Sequence, residues 1–161
     1  MKRTQLASTT LGLFVALVTP VAVAAQEPVS CGPNEEKHTI IKHDDAPSVP
    51  MPSTGRSMIV VMVGGSFTKS YQQKLAVNGR WRAVLKESQY SFFEVDPGVS
   101  RLCWGGRVAR RDDNYLLITA RPGETYYVRG TLRGISEVDP LEGQRLLRGK
   151  TYATYEVRHD N

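Results

Sequence analysis

The apolar residues of this chain fall into short runs broken by glycine, proline and asparagine, and within most runs they alternate with polar ones. That period of two belongs to half-buried strands. One run departs from it. Residues 58–63, Met-Ile-Val-Val-Met-Val, are continuously apolar and stop at Gly64-Gly65, the pattern of a strand covered on both faces. Residues 73–77 and 80–85 flank Asn78-Gly79, a pair that accepts the positive φ a two-residue hairpin turn demands. Further strands are predicted at 90–95 and 99–104, separated by Asp96-Pro97-Gly98, and at 151–157. Residues 115–119 and 125–132 flank Arg121-Pro122-Gly123-Glu124 and read as another hairpin. Only 140–147 carries a helical pattern, and Gly143 weakens it.

These runs predict a mainly β protein: a small β-sandwich of about seven short antiparallel strands with at most one short helix. In the strand Arg80-Trp81-Arg82, alternation sends the indole to the core and the two arginines to water. Residues 26–56 show little periodicity and carry Pro47, Pro50 and Pro52, so they read as an extended arm. The sandwich domain is expected over 57–158.

Residues 1–25 have a different character. Lys2 and Arg3 precede an apolar stretch that ends in Ala22-Val23-Ala24-Ala25, the plan of a cleaved secretory signal. The stretch is too short, and too interrupted by Pro20, to read as a membrane anchor. Gln26, Glu27 and Pro28 separate it from Cys31, which argues against a lipid anchor. The expected location is therefore periplasmic or secreted, with no transmembrane segment in the mature chain.

In an oxidising compartment the two cysteines, Cys31 and Cys103, can pair, and the long loop so closed would be worth about 4 kcal/mol in the chain-entropy account. The alternative is that Cys103 is a small buried hydrophobe. The 161 residues carry a net charge of +5, of which Lys2 and Arg3 supply two, so the exported form has little excess charge to suggest an anionic polymer as partner. Export also removes nucleic acid as a ligand. With 14 glycines and 9 prolines, a long helical bundle is excluded.

The ordered series Cys31-Gly32-Pro33, Gly55-Arg56-Ser57, Asn78-Gly79, Asp96-Pro97-Gly98, Leu102-Cys103, the 122–127 segment Pro-Gly-Glu-Thr-Tyr-Tyr and Glu142-Gly143 resembles the bacterial exported family called domain of unknown function 2846. The resemblance spans about residues 31–157. It implies a small β-rich exported domain with no assigned reaction, and a cysteine pair near Cys31 and Cys103. It supplies no catalytic residues.

Three chemical patterns merit weighing. Ser66-Phe67-Thr68-Lys69 fits the Ser-x-x-Lys pattern of penicillin-recognising enzymes but sits in a β context without the partner motifs. Gly143 and Gly149-Lys150-Thr151 resemble a phosphate-cradling loop, with the wrong spacing and no strand–helix frame. His38, His43, Asp44 and Asp45 could ligate zinc or copper only if a second shell held them in place. Nothing beside His159 or the other histidines completes a hydrolytic triad. No catalytic, cofactor or metal residue is therefore assigned. The expected role is a non-catalytic binding or structural module of the bacterial cell envelope, whose partner is another envelope protein or a glycan. The alternatives are a small periplasmic hydrolase or metal-dependent enzyme, and a glycan-binding module that stacks sugars on an exposed Trp81 or Trp104.

Overall fold

A computed structural model of the chain describes residues 31–33, 37–45, 47–65, 71–105 and 114–158. The leader, the Ser66–Lys69 pattern and His159 lie outside the described residues. In chain order the elements are β1 (Lys37–His43), β2 (Ser57–Val63), β3 (Gln73–Val77), β4 (Arg80–Leu85), β5 (Gln89–Val95), β6 (Gly98–Gly105), β7 (Tyr115–Ala120), β8 (Thr125–Thr131), β9 (Gly134–Val138), α1 (Pro140–Leu147) and β10 (Thr151–Arg158). They make a six-stranded sheet, β1-β10-β5-β2-β8-β9, and a four-stranded sheet, β4-β3-β6-β7. The two face each other across Ile59, Val61, Val63, Leu75, Leu85, Leu102, Trp104, Ile118 and Val128, which is the expected β-sandwich.

The continuous apolar run of β2 follows from its place in the middle of the larger sheet. Its odd residues enter the core between the sheets. Its even residues, Met58, Val60 and Met62, join Tyr90 and Tyr127 on the opposite face, beneath Leu146 and Leu147 of α1 and Val49 of the preceding segment. Both faces are dry, so no polar residue interrupts the strand. Asp139 caps α1 by accepting a hydrogen bond from the Leu141 N–H (2.9 Å), and Pro140 occupies the first turn. Gly143, a weakness in the helical pattern, is where α1 presses on Tyr127: a Cβ there would lie 2.3 Å from a ring carbon.

Three expectations change. There are ten strands among the described residues rather than about seven: the eight runs named from the sequence all form strands, and the edge strands β1 and β9 add two that the pattern does not predict. An edge strand buries little, so Lys37-His38-Thr39-Ile40-Ile41-Lys42-His43 shows no run of apolar positions, although it pairs with β10 along its whole length. The pairing is not all antiparallel: β2 lies parallel to β8, and β10 parallel to β5. Finally, the strands flanking Arg121-Pro122-Gly123-Glu124 are not a hairpin. β7 pairs with β6 in one sheet and β8 with β2 in the other, so this turn carries the chain across the sandwich. The Gly123 N–H donates to the Arg56 carbonyl (2.7 Å), and the Arg121 N–H donates to the Tyr126 hydroxyl (2.9 Å), which fixes the crossing.

The segment before β2 is tied to the sandwich at several points. Cys31 is bonded to Cys103, 72 residues away, with 5.3 Å between the Cα atoms. β1 follows, and then Pro47, whose carbonyl accepts the Tyr90 hydroxyl at 3.0 Å.

Candidate functional site

Among the described residues, the sequence-derived candidates do not assemble. His38 stands edge-on to Trp81 and Tyr155, whereas His43, five positions further along β1, hydrogen-bonds the Thr154 hydroxyl at 2.8 Å. An odd separation places them on opposite faces of the strand. Asp44 and Asp45 are exposed beyond its end, and no group of three metal-ligating side chains occurs among the described residues. Lys150 turns inward and donates to the Val63 carbonyl (2.8 Å), where burial, with Arg129 nearby, pushes its ammonium below the ordinary lysine range. Its Nζ is thus engaged on backbone.

Trp81 departs from the alternation argument. Leu75 pairs with Ala83, but Ala76 pairs with Trp81, so Arg82 is an extra residue on β4, a β-bulge. Without the bulge Trp81 would share the core-facing side of Val77. The one-residue slip moves it to the outer face with Ala76 and Cys103. There the Gly32 backbone lies against the indole, whose Nε1 donates to the Pro33 carbonyl at 2.9 Å, and the Lys74 ammonium stands 5.1 Å from the ring centroid. Trp104 is 1% exposed in the core. Trp104 thus offers no platform for sugar stacking, whereas Trp81 is half-buried, with Gly32 and Lys74 close to its ring.

The same bulge aims Arg80 and Arg82 into an open mouth at one end of the sandwich, a cleft of about 420 Å³. Four chain segments meet there. The tip of the β3–β4 hairpin supplies Val77, Asn78, Arg80 and Arg82; Arg56 enters from just before β2; Glu94 and Val95 end β5; and Asp96 to Ser100 cross between the sheets. Asn78 and Gly79 both have positive φ (50° and 80°), the geometry of the tight turn their pairing predicts. The tip is pinned because the Asn78 Oδ1 accepts the Arg101 N–H (2.9 Å) and the Asn78 N–H donates to the Arg101 carbonyl (2.9 Å).

Charge in this mouth is unevenly spent. Three guanidinium groups face two carboxylates. Arg56 pairs with Asp96 and lies 3.9 Å from Glu94. Glu94 also accepts the Ser53 N–H at 2.6 Å, and the Ser53 hydrogen bonds, with Arg56 behind them, hold its carboxyl below the usual range. Arg82 uses one N–H on the Glu94 carbonyl (3.0 Å) and lies 5.1 Å from the Phe93 ring centroid. Arg80 is exposed, and its guanidinium makes no hydrogen bond or ion pair among the described residues. Each carboxylate thus has Arg56 or Ser53 as a partner, while two arginines keep donors available.

The sequence pairs Arg80 with Arg82 but does not place Arg56, Asn78, Glu94, Asp96 or Ser100 beside them. Asn78-Gly79 and Asp96-Pro97-Gly98 are both legible as turns, yet which turns share an end depends on strand order and on the crossing between sheets. No family model, curated protein or solved structure matches the chain.

Proposed function

We propose that this protein is an exported module of the bacterial cell envelope that works by binding, with the arginine-lined mouth as its ligand-facing surface. The reading rests on one observation above the others: the mouth holds Arg80 and Arg82 on a pinned hairpin, and the two carboxylates that line it contact Arg56 and Ser53 rather than either of them. Such preorganised, uncommitted donors suit recognition. The leader-like residues 1–25 and the Cys31–Cys103 bond support export, since disulfides persist in oxidising compartments. The proposed location is periplasmic or secreted without a lipid anchor, and the family resemblance belongs to the same reading.

Affinity capture from the protein's own cells tests it. The full chain, expressed with its leader, is recovered in its native form beside an Arg80→Gln/Arg82→Gln variant, and the envelope components that accompany each are compared. At least one component is expected to accompany the native protein and to be lost with the variant. Identical captures, or turnover of a small substrate traced to a single side chain, would overturn the reading.

A further inference from the structure

We propose that the mouth recognises an oxyanion, the carboxylate or phosphate group of a small molecule, with Arg80 and Arg82 as its charged donors. This inference rests on the binding reading above and adds the chemical class of the ligand.

The donor inventory carries the argument. A guanidinium has five N–H groups in a fixed planar fork suited to two parallel hydrogen bonds with carboxylate or phosphate. Arg82 spends one of these on the Glu94 carbonyl, a contact that anchors the side chain and leaves the remaining donors free to turn outward. Arg80 spends none among the described residues. Two like charges at alternate positions of one edge strand repel, and both line the same opening beside the bulge. The carboxylates that could relieve the repulsion are drawn to Arg56 and Ser53.

The floor adds a neutral contact. Ser100 lines the cleft at 4% exposure, and no described residue hydrogen-bonds its hydroxyl. Asn78 commits its Oδ1 to the Arg101 N–H, which leaves its amide NH₂ as a further donor at the rim. Val77, Val95, Pro97 and Val99 make apolar walls. At about 420 Å³ the cleft is large enough for a small molecule, and most of its lining is polar or charged, which suits a charged ligand better than an apolar one. Three guanidinium groups against two carboxylates leave the cleft with an excess of positive charge, so the complementary ligand is an anion.

Titration by ¹H–¹⁵N NMR tests the proposal on the disulfide-bonded protein recovered from cells expressing the full chain. The probes are glucuronate, glucose 6-phosphate and glucose, which share a sugar ring and differ in the charged group. At millimolar concentrations at least one charged sugar is expected to shift the side-chain resonances of Arg80 and Arg82 and the backbone resonances of Asn78 and Ser100, while glucose leaves them in place. The tighter of the two charged probes identifies the preferred group. Arg80→Gln and Arg82→Gln, both at exposed positions, should each weaken that binding about tenfold, as expected for a charge-assisted hydrogen bond. Raising the ionic strength should weaken it as well.

The proposal falls if neither charged probe moves these resonances, if glucose moves them equally, or if the double variant binds as the native protein does. The wild-type titration decides the matter even if a variant fails to fold. Should the charged sugars fail while Arg80→Gln/Arg82→Gln still abolishes envelope capture, the binding reading survives and the oxyanion assignment does not.

Discussion

Two tryptophans flank adjacent residues of the same strand, and their surroundings could hardly differ more. Trp104 pairs with Leu75 and fills the core, its Nε1 donating to the Thr131 carbonyl at 3.0 Å while the Gly130 backbone lies flat against the ring. Trp81 pairs with Ala76 on the other side of β3 and is held on the outer face by residues 31–33. Each indole needs a glycine against it: a Cβ on Gly130 would come within 2.1 Å of Trp104, and one on Gly32 within 2.7 Å of Trp81. The first is enclosed by two sheets, the second by a short segment tethered through a disulfide. Enclosure by sheets depends on the whole fold, whereas the outer cover depends on one covalent link and can be loosened separately.

Trp104→Ala should therefore produce the largest effect, a loss of about 3–5 kcal/mol from the cavity and the removed contacts. It also removes the donor to the Thr131 carbonyl, which is costly if water cannot replace it. Urea denaturation of the native and variant proteins measures this. Trp81→Ala should cost less than half as much, because its ring is only partly buried. Equal losses would erase the distinction between the inner and outer indoles.

Next in size is the disulfide. Cys31→Ser with Cys103→Ser should lower stability by about 4 kcal/mol on the chain-entropy account for a loop of 72 residues. The double substitution should also make the emission of Trp81 more accessible to acrylamide, read in a Trp104→Phe background, while that of Trp104, read in Trp81→Phe, stays protected. Mass analysis under non-reducing conditions should find the native protein two hydrogens lighter than its reduced form. If Trp81 remains equally shielded without the bond, β1 and the contacts of Pro33 alone keep the cover in place.

The unequal legibility of the fold has the same physical origin. β2 was readable because both of its faces are buried, so almost every position had to be apolar. Asn78-Gly79 was readable because the turn geometry restricts residue type locally. β1 was not, since a half-exposed edge strand imposes few requirements on its side chains. The alternation rule misplaces Trp81 because the bulge at Arg82, opposite Leu75 and Ala76, inserts one residue without a glycine or proline to announce it. The candidate site inherits that difficulty. Arg80 and Arg82 stand out as a pair in the sequence, but their meeting with Arg56, Glu94 and Ser100 depends on long-range pairing and on a turn that changes sheets.

The smallest test concerns the ammonium beside the outer indole. Lys74 Nζ stands 5.1 Å from the Trp81 ring centroid, within range of a cation–π attraction worth about 0.5–1 kcal/mol at an exposed position. Lys74→Met keeps much of the aliphatic stem and removes the charge, so by itself it mixes this attraction with every other contact of the lysine. A double-mutant cycle isolates the pair. Lys74→Met and Trp81→Leu, measured singly and together by urea denaturation, should show a coupling of about 0.5 kcal/mol, the lower end of that range. The parallel cycle of Lys74→Met with Trp104→Phe should show none, because Trp104 lies on the opposite face of the sheet from Lys74. Coupling to both indoles would mean that the two faces of the smaller sheet respond as one, and coupling to neither would leave the tethered segment as the main cover of Trp81.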